Sequence, residues 1–573
     1  MGSIRNFFML HTSEFVAIPA DPGYNQKKGQ NVNRFIYLKH YRVLVNGISK
    51  VRHDVLLIGR VVTDPETNVQ CLMPNDNYYS HYGIEPNHGS TLKGRGALKK
   101  SNETKESSYS DKGDGSVLGF GLGIACFQLA KETKLESILI EIFEADTARD
   151  ILGLAMFYCD DYEGLTELED FTSEQMCFTD RVLTPQIAGE IFKSITDVQR
   201  DNFFKKWIPL QVPDGLVCYD VTSVSSYSQR IDGIEYGYNR DKEKLPQMNI
   251  GMFTDIETGI PLAYESYNGS INDFTNFPYV INKAVSWGLE NNFVLIMDGG
   301  FAEDFTINYS QFEGYEIIVG APVDRMSEVK NRLIAWRKSN TDHLSMAKYR
   351  FDSSIKCKDE EFELAPNVKG RLLLYFNADK YTLQCTSLQM DIERQKTILE
   401  ELKKISPCEA KKFKHYFDIS VNEDRSFSYK VKTDAISDDL HVCGSLAIMT
   451  TSQKLSVETI LKCYCNKDVV EKRFRDLKNE IMGERVRVHS TEACKGKLFV
   501  LFISLILRTM LSIKLRDWVR KNRYSLIGCI HQLKNIQCRK TGQNWILSKA
   551  LTKKQKEISE ILKLPIHALD VRK

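Results

Sequence analysis

The sequence lacks the short motifs that mark the common classes of nucleotide, metal and hydrolase enzymes. Its 14 cysteines contain no CxxC pair and its 11 histidines are scattered, so neither a zinc ribbon nor an HExxH site is indicated. No GxxxxGK[ST] phosphate loop, no GxGxxG after a predicted strand and no GxSxG motif is present. These absences argue against a P-loop hydrolase, a dinucleotide-dependent enzyme and a serine hydrolase.

A secretory leader and a membrane-length apolar run are also missing. The first ten residues, MGSIRNFFML, contain one arginine and a very short apolar run with no small-residue cleavage site after it, which is not typical of a signal peptide. The longest apolar run, Leu498–Leu507, is followed by Arg508 and is too short to cross a bilayer, so it predicts a buried core helix. We expect a soluble cytoplasmic protein with reduced thiols and no membrane partner.

Charge is distributed unevenly along the 573 residues. The whole chain has 77 Lys/Arg and 75 Asp/Glu, a formal net charge of +2. Residues 484–573, however, contain 20 Lys/Arg and 6 Asp/Glu, a balance of +14 (20 − 6). A basic tail on a nearly neutral body indicates a polyanionic partner, most simply nucleic acid.

Periodicity and composition predict six regions. Alternating segments joined by Asn46-Gly47 predict a β-hairpin near the N-terminus, and a Ser-rich polar stretch predicts a linker. Helical periodicity follows, and then two parts of an α/β core separated by an insertion with strand-like segments (RLLLYFNA, YTLQCTSL, FKHYFDISV) and helices. The regions are a β-rich one at 1–98, the linker at 99–117, a helical domain of four or five helices at 118–208, the first core part at 209–320, the β-rich insertion at 321–445, and the second core part with basic C-terminal helices at 446–573.

Within the first core part, two aspartates follow apolar runs. GLVCYD, QMNIGMFTD and IPLAYESY predict three antiparallel strands, a helix follows from about Asp273 to Leu289, and FVLIMD predicts a fourth strand. Asp220 and Asp298 are therefore predicted to end the first and fourth strands. A buried strand that ends in an ionised carboxylate needs compensation. A shared divalent cation and a structural hydrogen bond to a helix N-terminus are both open at this point.

The segment from Tyr464 to Lys478 carries a third group of polar residues. Read as one helix, it has an apolar stripe at helical spacing: Val470, Phe474, Leu477 and Ile481. About 100° per residue then places four polar side chains on one arc: Tyr464, Lys467, Glu471 and Lys478. Two interpretations remain open for this arc. A carboxylate and cations suit a metal and a phosphate backbone, whereas Asp468 as N-cap with Glu471 as its capping-box partner would make an ordinary solvated helix face.

Together these segments resemble the DDE transposases of bacterial insertion sequences, in the group with a Y-x2-R-x3-E-x6-K signature. That signature falls on Tyr464, Lys467, Glu471 and Lys478, with lysine in place of the usual arginine. YDVTS (219–223) resembles the first-aspartate motif. IMDGGF (296–301) resembles the second, with Gly299 where relatives more often have arginine. The segments GIPLAYESYNGSINDFTNF, LSVETILKCYCNKDVVEKRFRDLK and GKLFVLFISLIL are also similar to this family, and the resemblance extends from about residue 35 onward.

The resemblance implies an RNase H-like α/β core, a mixed sheet with flanking helices, interrupted by the β-rich insertion. It implies that Asp220, Asp298 and Glu471 are catalytic and hold two Mg²⁺ or Mn²⁺ ions. Tyr464, Lys467 and Lys478 would hold DNA phosphates, and Arg473 and Arg475 would add contacts or only solvate their helix. The implied partners are double-stranded DNA, both the terminal inverted repeats and the target, and a second copy of the chain. An inactive DNA-binding relative and an RNase H-like nuclease without strand transfer are the alternatives.

Overall fold

The computed structural model describes residues 115–160, 164–211, 215–228, 230–240, 243–289, 293–339, 355–481, 485–541 and 544–568, and five strands before residue 75. The chain divides into two compact units, Met1–Ser107 and Ser108–Lys573. All but the last three residues of the predicted linker, 99–117, lie outside the described residues.

The N-terminal unit is built from short antiparallel strands. Their bounds are Arg34–Phe35 (β1), Lys39–Val45 (β2), Ile48–Asp54 (β3), Gly59–Thr63 (β4) and Gln70–Pro74 (β5). β2 and β3 pair with Val45 opposite Ile48, which confirms the predicted hairpin, although its turn lies outside the described residues. β4 pairs with β1 on one side and β5 on the other.

The second unit begins with a short strand and a group of helices. These elements are Val117–Gly119 (β6), Gly121–Glu132 (α1), Leu135–Ile142 (α2), Ala145–Cys159 (α3), Leu168–Glu174 (α4), Pro185–Ser194 (α5) and Asp197–Gln211 (α6). Local signals set some of their ends: the Thr184 hydroxyl accepts a hydrogen bond from the Ile187 amide at 3.3 Å, and Pro185 takes the first helical position of α5. Six helices form in the described residues where four or five were predicted.

The core strands follow in the predicted order. They are Leu216–Ser225 (β7), Gln247–Asp255 (β8), Pro261–Asn268 (β9), then helix Asp273–Ser286 (α7), strand Val294–Met297 (β10), helix Asp304–Phe312 (α8) and strand Glu316–Gly320 (β11). β7, β8 and β9 are antiparallel neighbours, and β10 pairs in parallel with both β7 and β11. The predicted turn between β8 and β9 is confirmed: Gly259 adopts φ +74°, and its amide donates to the Asp255 carbonyl at 2.8 Å.

The prediction that Asp220 ends its strand is wrong. β7 continues to Ser225 because Val221, Thr222 and Val224 keep pairing with β8. The pairing with β10 does stop near Asp220, since its last pair is Tyr219 opposite Met297. Asp298 directly follows β10, as predicted.

The insertion contains four helices and four strands in its described part. They are Ser327–Ser339 (α9), Ile355–Ala365 (β12), Val368–Asn377 (β13), Ala378–Glu401 (α10), Pro407–Ala410 (α11), Phe417–Val421 (β14), Phe427–Val431 (β15) and Thr433–Val442 (α12). YTLQCTSL, which its apolar and β-branched residues made strand-like, is helical. It lies in the first half of α10, which begins where the Asn377 side chain accepts a hydrogen bond from the Lys380 amide at 2.9 Å.

The C-terminal part returns to the core sheet and then to the N-terminal helices. It consists of Ser445–Thr450 (β16), Val457–Asn466 (α13), Asp468–Arg475 (α14), a π-helical segment Asp476–Ile481, Thr491–Asn522 (α15), Leu526–Lys534 (α16), Gln537–Thr541 (β17), Asn544–Leu547 (β18) and Lys553–Ile561 (α17). β17 pairs with β18 and with β6. The chain thus closes onto its helical region.

One eight-stranded sheet organises the second unit, in the order β12-β13-β16-β11-β10-β7-β8-β9. Two insertion strands therefore extend the core sheet through β16, whereas β14 and β15 form a separate hairpin over a small apolar cluster of their own. The helical region, the sheet and α15 share one continuous hydrophobic core.

Helix α15 passes through the middle of that core. It is long and apolar enough to cross a membrane by length and composition, with a mean hydropathy of 2.1 over its most apolar window, but 83% of that window is buried inside the protein. Every residue from Leu498 to Leu507 is buried. The prediction of a buried core helix is confirmed.

Candidate active site

Asp220 and Asp298 lie side by side in the interior of the sheet, where the pairing between β7 and β10 stops. β7 and β10 are parallel neighbours, and each aspartate directly follows the last pair of residues that joins the two strands. Both side chains line one open cavity of about 200 Å³. The chain leaves β10 through a short 3₁₀ turn, Gly299–Phe301, that forms part of the cavity wall. The topology therefore brings together two carboxylates that are far apart in the sequence.

Asp220 carries a poorly compensated charge. Burial, and to a smaller extent the nearby Asp298, raise the pKa of its carboxyl from 3.8 to about 6. The opposing influences are a 2.8 Å hydrogen bond from the Val221 amide to Asp220 Oδ1 and the positive charges of Lys467 and Arg240. They are insufficient to restore the ordinary value, so the folded protein holds a proton on Asp220 to a higher pH than an exposed aspartate would.

Asp298, in contrast, has a cationic partner from the chain. Lys467 Nζ donates to Asp298 Oδ1 at 2.6 Å and lies 3.8 Å from Glu471 Oε1. Burial alone would raise the pKa of Asp298, but the Lys467 ammonium outweighs burial and holds it below its ordinary value. Arg325 adds to this effect and donates to the Gly299 carbonyl at 2.8 Å. Positive charge thus reaches Asp298 from Arg325 as well as from Lys467.

Lys467 connects Glu471 with Asp298. Its side chain is 61% exposed, whereas that of Lys467 is only 12% exposed. Among the residues that the structure describes, no three His, Cys, Asp or Glu side chains are arranged closely enough to hold a metal ion. Asp220 and Asp298 are neighbours, and an ammonium lies between Asp298 and Glu471. Oxygens of Asp298 and Glu471 already face a positive charge, the Lys467 ammonium, and hard cations such as Mg²⁺ or Mn²⁺ prefer carboxylate oxygens.

The helix that carries Glu471 is not the single regular helix that was predicted. α13 ends at Asn466, α14 begins at Asp468, and the last turn becomes π-helical from Asp476 onward. The predicted stripe of Val470, Phe474, Leu477 and Ile481 is nonetheless fully buried, with side chains 0–6% exposed. A π-helical segment has more residues per turn than an α-helix, so Lys478 does not keep the predicted 100° spacing from Glu471.

The predicted DNA contacts differ in how accessible they are. Tyr464 is half-buried, and a methyl group at Gly320 would overlap its hydroxyl. Arg473 is only 6% exposed; its guanidinium donates to the Gly259 carbonyl at 3.1 Å and to Asp476 Oδ2 at 3.0 Å. Arg473 therefore packs inside the protein instead of making the predicted contact with DNA. Arg475 is exposed and Lys478 is partly exposed, so both are accessible to DNA.

The sequence interpretation missed the residues on the other wall of the cavity. Arg240, Tyr238 and Asp273 line it. Arg240 forms an ion pair with Asp273, which also accepts a 2.6 Å hydrogen bond from the Tyr267 hydroxyl. Tyr238 is 79% exposed. The loop after β7 interleaves tyrosines with arginines, a composition typical of nucleic-acid contacts, and that signal was available in the sequence.

The fold and the position of these acidic residues define a class of protein. A mixed sheet with three antiparallel strands and two parallel ones, ordered β9-β8-β7-β10-β11 and flanked by helices, is RNase H-like. Residues 212–507 match the family described as Transposase DDE domain. That range is more than half of the chain, so the chain belongs to this family and is a DDE transposase.

Comparison with solved structures finds a distant likeness. One match is the piggyBac transposase synaptic complex with hairpin DNA, determined by cryo-electron microscopy, at 10% sequence identity and a TM-score of 0.34. The match covers 78% of this chain and 85% of that one. No curated protein matches the sequence.

Proposed function

We propose that this DDE transposase cuts DNA at the ends of a bacterial insertion sequence and joins those ends to target DNA. The observation that carries the proposal is the shared cavity of Asp220 and Asp298, with Glu471 linked to it through Lys467. Two divalent ions, Mg²⁺ or Mn²⁺, would be held by these three carboxylates. When bound, such ions supply an activated oxygen nucleophile and stabilise the leaving oxygen of a phosphodiester.

The chain's own side chains have separable roles in this proposal. Asp220 and Asp298 present oxygen donors from two neighbouring central strands, and Glu471 presents a third from α14. Lys467 keeps Asp298 ionised and in place. Tyr464, Lys478 and Arg475 remain the predicted contacts to DNA phosphates. The proposed partners are double-stranded DNA, as terminal inverted repeats and as target, and a second copy of the chain, so that a homodimer in the cytoplasm pairs the two ends.

The test is metal-dependent cleavage of an oligonucleotide that contains an element end, followed by joining of a pre-cut end to a plasmid. Glu471→Gln and Asp298→Asn should abolish both reactions while DNA binding persists. Glu458→Gln is the matched control, because Glu458 is an exposed carboxylate on the preceding helix α13 and should retain both reactions.

Each alternative has its own outcome in these assays. Cleavage without joining would identify a nuclease that lacks strand transfer, and DNA binding without cleavage would identify a non-catalytic relative. Normal cleavage by Glu471→Gln would overturn the assignment of the third acid. Inverted repeats in the DNA that flanks the gene would supply the substrate sequence.

A further inference from the structure

A dense cluster of cations lies where the end of α15 meets the start of α17. We call it the basic junction; its members are Arg520, Lys521, Arg523, Lys553, Lys554 and Lys556, and all six are exposed. Side-chain contacts hold the two helix ends together: Lys554 Nζ lies 4.3 Å from the centre of the Tyr524 ring, and Trp518 Nε1 donates to Glu557 Oε2 at 2.9 Å. The cations therefore project from one packed scaffold.

Acidic residues do not neutralise this cluster. Residues 505–568 contain 14 Lys/Arg but only three acids, Asp517, Glu557 and Glu560. Across the described residues, Lys553 is the one member of the basic junction with a carboxylate within ion-pair distance, Glu557 at 4.0 Å, and its side chain is 91% exposed. Glu557 is already used by Trp518. The junction is therefore a concentrated positive surface with little internal compensation.

Helix electrostatics account for only part of the cluster. Arg520 and Lys521 lie in the last turn of α15, where cations interact favourably with the helix dipole. Lys553, Lys554 and Lys556 occupy the start of α17, where the dipole repels cations, and no acid is present in that first turn. The contact with the Tyr524 ring gives Lys554 a packing role, but helix electrostatics give no reason for three lysines at this helix start, whereas a bound polyanion does.

We propose that the basic junction binds the phosphate backbone of duplex DNA, as a contact surface separate from the acidic cavity. The proposal rests on the proposed function, in which DNA is the substrate. The junction would hold the duplex by its phosphates, without reading its sequence.

The experiment compares two triple variants of the full-length protein that remove the same charge. Lys553→Gln/Lys554→Gln/Lys556→Gln changes the junction. Lys411→Gln/Lys412→Gln/Lys414→Gln changes three lysines of the insertion that are exposed as well. Fluorescence anisotropy with a labelled duplex is measured over a range of salt concentrations. The slope of log Kd against log salt should fall by about 2–3 for the junction variant, because each phosphate that is no longer neutralised lowers it by about 0.9, and it should remain unchanged for the control.

A second measurement separates ligand binding from folding. Removing lysines from the start of α17 should leave the midpoint of thermal unfolding unchanged or raised, because the repulsion with the helix dipole is relieved. A large fall in that midpoint would show that the lysines serve folding, and it would overturn the proposal. An unchanged salt slope in the junction variant, an equal fall in the control, or a larger loss of affinity for duplex RNA than for duplex DNA would also overturn it.

Failure of this proposal is distinguishable from failure of the proposed function. If wild-type protein binds and cuts the duplex while the junction variant keeps the full salt slope, only the junction is refuted. If wild-type protein binds no duplex, or binds it without cutting in the presence of Mg²⁺ or Mn²⁺, the proposed function itself fails.

Discussion

Replacing Asp220 by asparagine should stabilise the metal-free protein while it abolishes DNA cleavage. The carboxylate is partly buried beside Asp298, and its pKa is raised from 3.8 to about 6 by burial and by that neighbour. Asparagine keeps an oxygen that can accept the hydrogen bond from the Val221 amide, but it carries no charge to desolvate. The substitution therefore removes a cost to folding and, in the proposed function, an essential metal ligand.

The size and the pH dependence of the effect follow from the raised pKa. A rise from 3.8 to about 6 corresponds to about 3 kcal/mol above pH 6. Contact with the open cavity lets solvent screen the charge, which reduces the expected gain to about 1–2 kcal/mol. Between about pH 4 and pH 6 the folded protein retains a proton that the unfolded chain releases, so wild-type stability falls as pH rises through this window. The advantage of Asp220→Asn should grow over the same window and vanish below about pH 4.

Urea unfolding in the presence of a chelator, at several pH values, measures this difference. Asp150→Asn is the matched control: Asp150 is 2% exposed but accepts hydrogen bonds from Thr179 at 2.7 Å and from its ion-pair partner Arg181. That variant should lose about 1–3 kcal/mol. If Asp220→Asn lost as much stability as Asp150→Asn, its carboxylate would be compensated in the metal-free fold, and the reasoning would be refuted.

Three further substitutions test the surroundings of the cavity and the core. Lys467→Met should destabilise the chelator-treated protein by about 1–2 kcal/mol in urea unfolding, because it leaves the partly buried Asp298 without its ion-pair partner. Lys467→Arg should lose less stability, and equal losses in the two variants would contradict the ion-pair role. Gly320→Ala should lower the free energy of unfolding by about 1–3 kcal/mol, because the added methyl group overlaps the Tyr464 hydroxyl. Gly300→Ala is the control and should be close to neutral, since no neighbouring atom lies within 4 Å of the added carbon. Comparable losses of stability in thermal unfolding would refute the overlap. Lys497 is 4% exposed, and burial lowers its pKa to about 8, so wild-type stability should rise between about pH 8 and pH 10.5. Lys497→Met should gain about 1–2 kcal/mol at about pH 7 and lose that advantage above this window, and a pH-independent difference would contradict burial as its cause.

Local patterns in the sequence were sufficient for the core strands and for the buried side of α14. Apolar runs with β-branched residues predict β7 to β10 because such segments suit a sheet buried on both faces. The stripe from Val470 to Ile481 is predicted by its spacing, and its burial survives even though the last turn is π-helical. Asp298 was placed correctly because Gly299 and Gly300 end the strand directly after it.

Features that depend on distant partners were not predictable in the same way. β7 continues past Asp220 because β8 pairs with it as far as Ser225, and no local signal reports the length of a partner strand. YTLQCTSL has the composition of a strand, yet Asn377 caps a helix at that point and the segment continues it. The extension of the core sheet by β13 depends on pairing with β16, a strand that follows only after the rest of the insertion.

The charge pattern of the cavity depends on tertiary structure most of all, and it bears on how DNA can approach. Asp298 is compensated by Lys467 and Arg325, whereas Asp220 has a single backbone amide as its hydrogen-bond donor among the contacts described. Asp220 is therefore the acid that gains most from an added cation. A phosphodiester brought to the cavity meets the same uncompensated charge, which repels it until a cation is present. Cation binding and DNA binding at the cavity must then favour each other, since linkage between two sites is reciprocal.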